Sequence, residues 1–146
     1  MRFVQICDDV ENGLPPGPLD ISGLCGTWVN TNAETNGIAR MIISEADGNV
    51  SLQALAVGPD GLIDWGTTPL KLFASSPTSR LSAGFSGTYD FGFVEITLEA
   101  MIMKGLIVLA EIHSFKDYSD RADFFVREYF ALIHGQYGPP ALSEGM

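Results

Sequence analysis

The chain has 146 residues, the size of one ordinary domain, and 46% of them are apolar while only 18% are charged, which excludes a disordered chain. Eighteen acidic residues against eight basic ones leave a formal charge of −10, which argues against a nucleic acid or an anionic membrane surface as a partner.

No apolar run approaches the roughly 18 residues of a transmembrane helix. The first ten residues also turn acidic too early for a signal peptide, so we expect a cytoplasmic protein. Two cysteines, Cys7 and Cys25, are too few for a disulfide scaffold or a zinc site. They flank a proline-rich stretch, and they either pair or remain two small, reduced side chains.

Composition divides the chain into three zones. Residues 1–25 contain Pro15, Pro16 and Pro18, which favour an extended arm across the surface. Residues 26–132 are densely apolar and alternate with a period of two, which is typical of half-buried strands. Residues 133–146 contain Gly-Pro-Pro and are expected to form a loose tail.

Turn residues divide the middle zone into short segments, and Asp47-Gly48 is a strong hairpin signal because both residues tolerate positive φ. The pattern predicts eight or nine strands without a helix between them, at residues 26–32, 38–45, 49–57, 62–67, 70–75, 81–89, 93–103, 106–115 and 121–132. Sequential strands joined by short turns indicate an all-β fold, an eight-stranded antiparallel up-and-down β-barrel, since closure removes both exposed edges. A seven-stranded sandwich is the alternative.

The start of the first predicted strand, Leu-Cys-Gly-Thr-Trp-Val-Asn at residues 24–30, resembles the opening of calycin barrels, which comprise lipocalins, fatty-acid-binding proteins and avidins. In lipocalins a Gly-x-Trp closes the floor of the barrel, and a late arginine packs across the indole ring. The resemblance therefore implies that Gly26 and Trp28 lie at a closed end of the barrel and that Arg127 packs against Trp28.

Two further segments extend this resemblance. Gly-Thr-Trp-x-Asn is similar to the first strand of avidins, where the asparagine, here Asn30, contacts biotin, but the later tryptophans of the biotin pocket are absent. Gly37-Ile38 followed by Asp64-Trp65-Gly66 resembles a group of bacterial calycin-like domains of unassigned function. Asp64 itself is expected to bond backbone amides in a turn rather than to act in catalysis.

The predicted hairpin of residues 93–103 and 106–115 carries a candidate polar site. A three-residue loop at 103–105 aligns the apolar rows of both strands and brings five polar residues to one face, namely Glu95, Thr97, Glu99, Glu111 and His113. A two-residue loop mixes the faces, so the pattern favours three. The five residues then form either the wet outer surface or a polar lumen, in which His113 and Glu95 or Glu111 make an acid–base pair.

Other candidate site residues come from the last strand and from the aromatic side chains. Arg127 and Tyr129 can donate hydrogen bonds to a carbonyl or enolate oxygen, so together with His113 they are the candidate catalytic residues. A ligand is expected at the end opposite Trp28, contacting Trp65, Phe73, Phe85 and Tyr89. No nucleotide, zinc or haem motif occurs, so we expect neither a cofactor nor a metal.

These observations favour a barrel that binds a small hydrophobic molecule in its lumen. An alternative is a cofactor-free cyclase or isomerase of natural-product biosynthesis that acts by positioning its substrate, and a further one is a structural or interaction barrel with a filled lumen. Because residues 106–110 are apolar on both faces, we expect a homodimer. The arm of residues 1–25 is expected to cover one end or one side of the barrel.

Overall fold

Residues 17–133 are described by a computed structural model, and their regular secondary structure consists of β-strands. The strands are β1 (Gly26–Asn30), β2 (Ile38–Ala46), β3 (Asn49–Gly58), β4 (Gly61–Pro69), β5 (Lys71–Ala74), β6 (Ser82–Asp90), β7 (Val94–Met103), β8 (Leu106–Phe115) and β9 (Phe124–Ile133). The predicted all-β class is confirmed. This part of the chain contains no helix long and apolar enough to cross a membrane.

The nine strands form one strongly curled antiparallel sheet, a half-barrel, in the order β4-β3-β2-β1-β9-β8-β7-β6-β5. Neighbours in the sheet are neighbours in the chain except where β1 pairs with β9, so the first and last strands meet in the middle of the sheet. The two edge strands, β4 and β5, are separated in sequence only by Leu70. Because every intervening pairing is antiparallel, β4 and β5 run in the same direction.

Hydrogen bonds join the two sides of the curled sheet. The Thr68 hydroxyl of β4 donates to the Thr88 carbonyl of β6 at 2.8 Å. The Tyr89 hydroxyl of β6 donates to the Gly66 carbonyl at 2.7 Å, accepts from the Ala54 amide of β3 at 3.0 Å and lies 3.2 Å from the Leu52 carbonyl. Tyr89 is only 5% exposed, so the loss of its bonds leaves buried groups unsatisfied.

The turn between β7 and β8 differs from the predicted one. Met103 pairs with Leu106, so the turn contains two residues, Lys104 and Gly105, with φ values of 52° and 80°. A two-residue turn with positive φ at both positions matches the twist of its strands, and Asp47-Gly48 between β2 and β3 has the same form, with φ values of 54° and 83°. The expected three-residue loop is therefore wrong.

This turn decides which residues of the hairpin face the core. Leu98 lies opposite Glu111 and Ile96 lies opposite His113, so the two polar residues share the inner face with the apolar row of β7. The other members of the expected polar row lie instead on the outer face: Glu95, Thr97 and Glu99. The outer row of β8 is apolar and consists of Leu106, Val108, Ala110 and Ile112, so of the two arrangements left open by the pattern, the one with Glu111 and His113 inside is found.

Large apolar side chains fill the inner face of the sheet, and the largest buried ones are Trp28, Phe85 and Phe130. Gly26 allows Trp28 to enter this core, because its φ of 143° lies in the range that favours glycine and a Cβ there would lie 2.8 Å from Leu132 Cδ1. The centre of the curled sheet is therefore a packed core.

Residues 17–25 cover one end of this core. The Asp20 amide donates to the Arg80 carbonyl at 2.6 Å, and the Ser82 amide donates to the Asp20 carbonyl at 3.0 Å. Leu24 is 1% exposed, and its carbonyl accepts the Trp28 indole N–H at 2.8 Å. The rest of the predicted arm, residues 1–16 with Cys7, and residues 134–146 of the predicted tail lie outside the described residues.

Candidate functional site

A pocket of about 580 Å³ opens at the other end of the sheet, beside the loop of residues 31–37 between β1 and β2. We call it the end pocket. Its apolar wall is formed by Ala56, Val57, Ile63, Trp65, Phe124 and Val126. Its polar and charged lining includes Glu34, Thr35, Glu111, His113, Arg127 and Glu128. The volume lies within the range of roughly 300–1,000 Å³ that small-molecule sites occupy.

The Asp64-Trp65-Gly66 segment directs Trp65 into this wall. The pairing of β3 with β4 shifts register here, and Gly66 has a φ of 82°, a value that favours glycine. The Asp64 carboxylate accepts the Gly66 amide at 2.7 Å and the Gln53 side-chain amide at 2.8 Å. Asp64 therefore bonds a backbone amide, as expected, but at a β-bulge inside a strand. The Trp65 ring then packs edge-on against Tyr89, with 5.5 Å between the ring centroids.

Glu111 and His113 enter the pocket from the inner row of β8. Glu111 is 1% exposed, and its Oε1 lies 3.2 Å from Nε2 of His113. The imidazole stacks on the Phe124 ring of β9 at a centroid distance of 4.2 Å, which holds its orientation. Glu111 Oε2 is also buried and receives no bond from an N–H or O–H donor among the described residues, but the carboxyl group of Glu128 lies within hydrogen-bonding reach of Glu111. A buried acceptor without a donor is costly, so we expect the two carboxyl groups to share a proton unless a ligand supplies a donor.

A second carboxyl group, that of Glu128, is fixed beside Glu111 by donors from β1 and the adjoining loop. Its Oε2 accepts the Asn30 side-chain amide at 2.8 Å and the Thr35 hydroxyl at 2.6 Å. Asn30 also donates to the Ile38 carbonyl at 3.0 Å, so both of its amide hydrogens are used. The orientation of Glu128 is therefore set by residues almost a hundred positions earlier in the chain.

The electrostatics of the pocket favour neutral forms of Glu111 and His113. Burial, and after it the negative charge of Glu128, raises the pKa of Glu111 from 4.5 to about 7. Burial alone lowers the pKa of His113 below 6.5. Near neutral pH the imidazole is thus uncharged, while Glu111 exchanges its proton readily. A carboxyl group with a pKa close to the ambient pH can serve as a general acid or a general base.

The structure separates the four aromatic residues that were expected to contact a ligand. Trp65 lines the end pocket, and Tyr89 packs against Trp65 within the core. Phe85 is 1% exposed in the packed centre of the sheet. Phe73 is exposed on the outer side of β5, where Lys71 lies over its ring. Trp65 and Tyr89 are thus brought together, while Phe73 and Phe85 line a different pocket of about 440 Å³ formed by β5, β6 and β7.

Of the three candidate catalytic residues, His113 and Arg127 both line the end pocket. Arg127 and Tyr129 alternate with the inward Glu128 and Phe130 and so belong to the outer row of β9. The structure does not bring Arg127 to Trp28, because Trp28 is an inner residue that pairs with Leu132, five positions further along β9.

Glu128 and Thr35 are the site residues that the sequence reasoning missed. Glu128 stood in a dense run of charges, which is typical of cross-strand pairing on a surface. Residues two apart in a strand share a face, and Glu128 stands in one row with Phe124, Val126 and Phe130. This spacing was the signal that Glu128 faces inward. Nothing in the sequence pointed to Thr35.

Neither a protein-family model nor a curated protein sequence matches the chain. Within residues 17–133 there is no group of three or more histidine, cysteine, aspartate or glutamate side chains placed to hold a metal ion. The interpretation of the site therefore depends on its own geometry.

Proposed function

We propose that the protein binds a small, largely apolar molecule in the end pocket. The observation that carries this proposal is a cavity of about 580 Å³ with an aromatic and aliphatic wall, into which Glu111 and His113 project. Small-molecule sites combine such walls with a few polar groups that orient the ligand. Because the centre of the sheet is filled, the ligand occupies the mouth of the sheet rather than its middle.

The proposal extends to the architecture around the pocket. We take β4 and β5 as two halves of one bent strand, which makes the sheet an eight-stranded barrel of the calycin type. Two observations support this reading: Leu70 alone separates the two strands, and Tyr89 bonds across from β6 to Gly66 and Ala54. Barrels of eight strands hold one small ligand at most, in agreement with a single ligand in the end pocket.

A second candidate function is cofactor-free catalysis by proton transfer, as in an isomerase or a cyclase. The observation that favours it is the pair of Glu111 and His113, 3.2 Å apart, in the lining of the end pocket. In such a site the carboxyl group exchanges a proton with the substrate, while the apolar wall holds the substrate in a reactive geometry.

Binding is tested with N-phenyl-1-naphthylamine, a neutral apolar dye whose fluorescence increases in a dry pocket. We expect saturable binding that Trp65→Ala weakens at least tenfold, because the variant removes an aromatic part of the wall. The matched control is Phe73→Ala, which removes an aromatic ring from the outer surface and should leave the affinity unchanged. Equal affinities for both variants and the unaltered protein, with thermal melts showing that both fold, would contradict the proposal.

Proton transfer is tested with 5-nitrobenzisoxazole, a probe that needs only a base. The Glu111 carboxylate takes the proton from C3, the C–H electron pair forms the nitrile, and the N–O bond breaks to release a phenolate. We expect Glu111→Gln to lower the rate by about 100-fold or more, and Glu99→Gln on the outer face to leave it unchanged. His113→Ala should cost less than about 100-fold, since it only positions the carboxyl group. A rate that Glu111→Gln does not alter would exclude this second function.

A further inference from the structure

The end pocket is lined by more acidic residues than basic ones. Three glutamates line it, Glu34, Glu111 and Glu128, against one arginine, Arg127. Arg127 belongs to the outward row of β9, whereas Glu128 belongs to the inward row. The side chain of His113 carries no charge at neutral pH, because burial lowers its pKa. The pocket therefore presents net negative charge to its contents.

The side chains that donate to Glu128 are already committed. The Asn30 side-chain amide donates to the Ile38 carbonyl and to Glu128, and the Thr35 hydroxyl donates to Glu128. Oε2 of Glu111 receives none of these bonds, and its polar neighbour is the carboxyl group of Glu128. A ligand that complements these two carboxyl groups must bring the donor itself.

Among common donors, an ammonium group fits best. It offers three N–H donors and no acceptor, whereas a hydroxyl group adds another acceptor to a site that has several. Its positive charge offsets the two neighbouring carboxyl groups. Aromatic rings such as Trp65 and Phe124, which line the same pocket, also attract cations at their faces. The chain charge of −10 increases the local concentration of cations before binding.

We infer that the ligand of the end pocket is an amine in its protonated form, carried on an apolar or aromatic body, with its N–H groups donating to the carboxyl groups of Glu111 and Glu128. This inference rests on the proposed function, since it names the chemical class of the molecule bound there. The apolar body lies against Trp65 and Val126, and the ammonium group lies between Glu111 and Glu128. An apolar carboxylic acid of the same size is excluded by repulsion.

The ligand class is tested by calorimetry with three probes of one shape: 1-naphthylmethylamine, 1-naphthylmethanol and 1-naphthoic acid. At pH 7 we expect the amine to bind at least tenfold more tightly than the alcohol, and the acid to bind least. Glu111→Gln should reduce the preference for the amine about tenfold, while Glu99→Gln, which removes the same charge from the outer face, should preserve it.

A pH series separates recognition of the ammonium group by Glu111 from packing of the naphthyl ring against the wall of the pocket. The amine affinity should rise between pH 5.5 and 8 as Glu111 ionises, while the alcohol affinity stays constant, and Glu111→Gln should abolish the rise. The groups that face Glu111 are His113 on β8, Glu128 on β9 and Glu34 at the rim, with Arg127 on the outward row. His113→Gln therefore serves as the control for imidazole titration and should retain the rise.

The outcomes distinguish the inference from the proposed function. An alcohol that binds as tightly as the amine and displaces N-phenyl-1-naphthylamine would overturn the inference and leave the proposed function standing. Failure of all three probes and of the dye to bind would overturn both. Amine binding that Glu99→Gln and Glu111→Gln weaken equally would show long-range attraction to an acidic protein and would also overturn the inference.

Discussion

Replacing Glu111 by glutamine should change how the stability of the protein depends on pH. Below about pH 4.5 the carboxyl group is protonated in both the folded and the unfolded chain. Between 4.5 and about 7 the unfolded chain loses this proton while the folded chain keeps it, so the free energy of unfolding falls as the pH rises. Above about 7 both forms are ionised and the loss is complete.

The magnitude follows from the two pKa values. A rise from 4.5 to about 7 corresponds to about 3 kcal/mol, at roughly 1.4 kcal/mol for each pH unit. Glutamine has nearly the same shape and no titration, so the variant lacks this pH-dependent loss. The stability of Glu111→Gln minus that of the unaltered protein should therefore rise by about 3 kcal/mol between pH 4.5 and 8.

Urea unfolding at intervals of half a pH unit measures this difference. Any fixed cost of burying the amide is the same at every pH, and His113 is present in both proteins, so neither produces the slope. Glu99→Gln provides the control, because Glu99 is exposed on the outer face of β7 and its replacement should show no such rise. A difference for Glu111→Gln that stays constant within about 0.5 kcal/mol would show that this carboxyl group is not buried in the folded protein.

Three further predictions concern the turn between β7 and β8, the hydrogen bonds of Tyr89 across the sheet, and the apolar outer face of β8 and β9. Lys104→Asn should stabilise the protein by about 0.5–1 kcal/mol and raise its Tm, since asparagine tolerates a φ of 52° better than lysine; an unchanged Tm would contradict the two-residue turn. Tyr89→Phe should lower the free energy of unfolding, measured in urea, by about 1–3 kcal/mol, because the Gly66 carbonyl and the Ala54 amide lose a buried partner. A negligible decrease would contradict the hydrogen bonds that Tyr89 makes across the sheet. Phe125 is 61% exposed beside the apolar outer row of β8, so we expect a homodimer in sedimentation velocity that Phe125→Arg dissociates; a monomeric unaltered protein at micromolar concentration would refute this.

The strands and the turn between β2 and β3 could be predicted because they depend on local chemistry. Asp47-Gly48 combines two residues that accept positive φ, and the flanking segments alternate with a period of two, so the hairpin of β2 and β3 follows from its own sequence. The resemblance of Gly26-x-Trp28 to the opening of calycin barrels implied that Trp28 closes one end of the fold, and the side chain is buried. For these elements the local preference and the final fold agree.

The candidate site could be predicted only in part. His113, Glu111 and Trp65 carry chemistry that is visible in the sequence, and all three line the end pocket. Glu128 and Thr35 acquire their role only through the pairing of β1 with β9, which joins segments about a hundred residues apart. No local pattern records such a pairing.

By itself, the sequence determined the all-β class and the approximate limits of the strands, because alternation and turn chemistry act over a few residues. Only the tertiary structure decided which face of β8 is inside. That strand is apolar on both faces from Leu106 to Ala110, so its pattern is compatible with either register. The two-residue turn at Lys104-Gly105, together with the pairing of β8 with β9, selects the register that places Glu111 and His113 inside. The inward position of Glu111 and His113 thus depends on a shift of one residue in the register of β8.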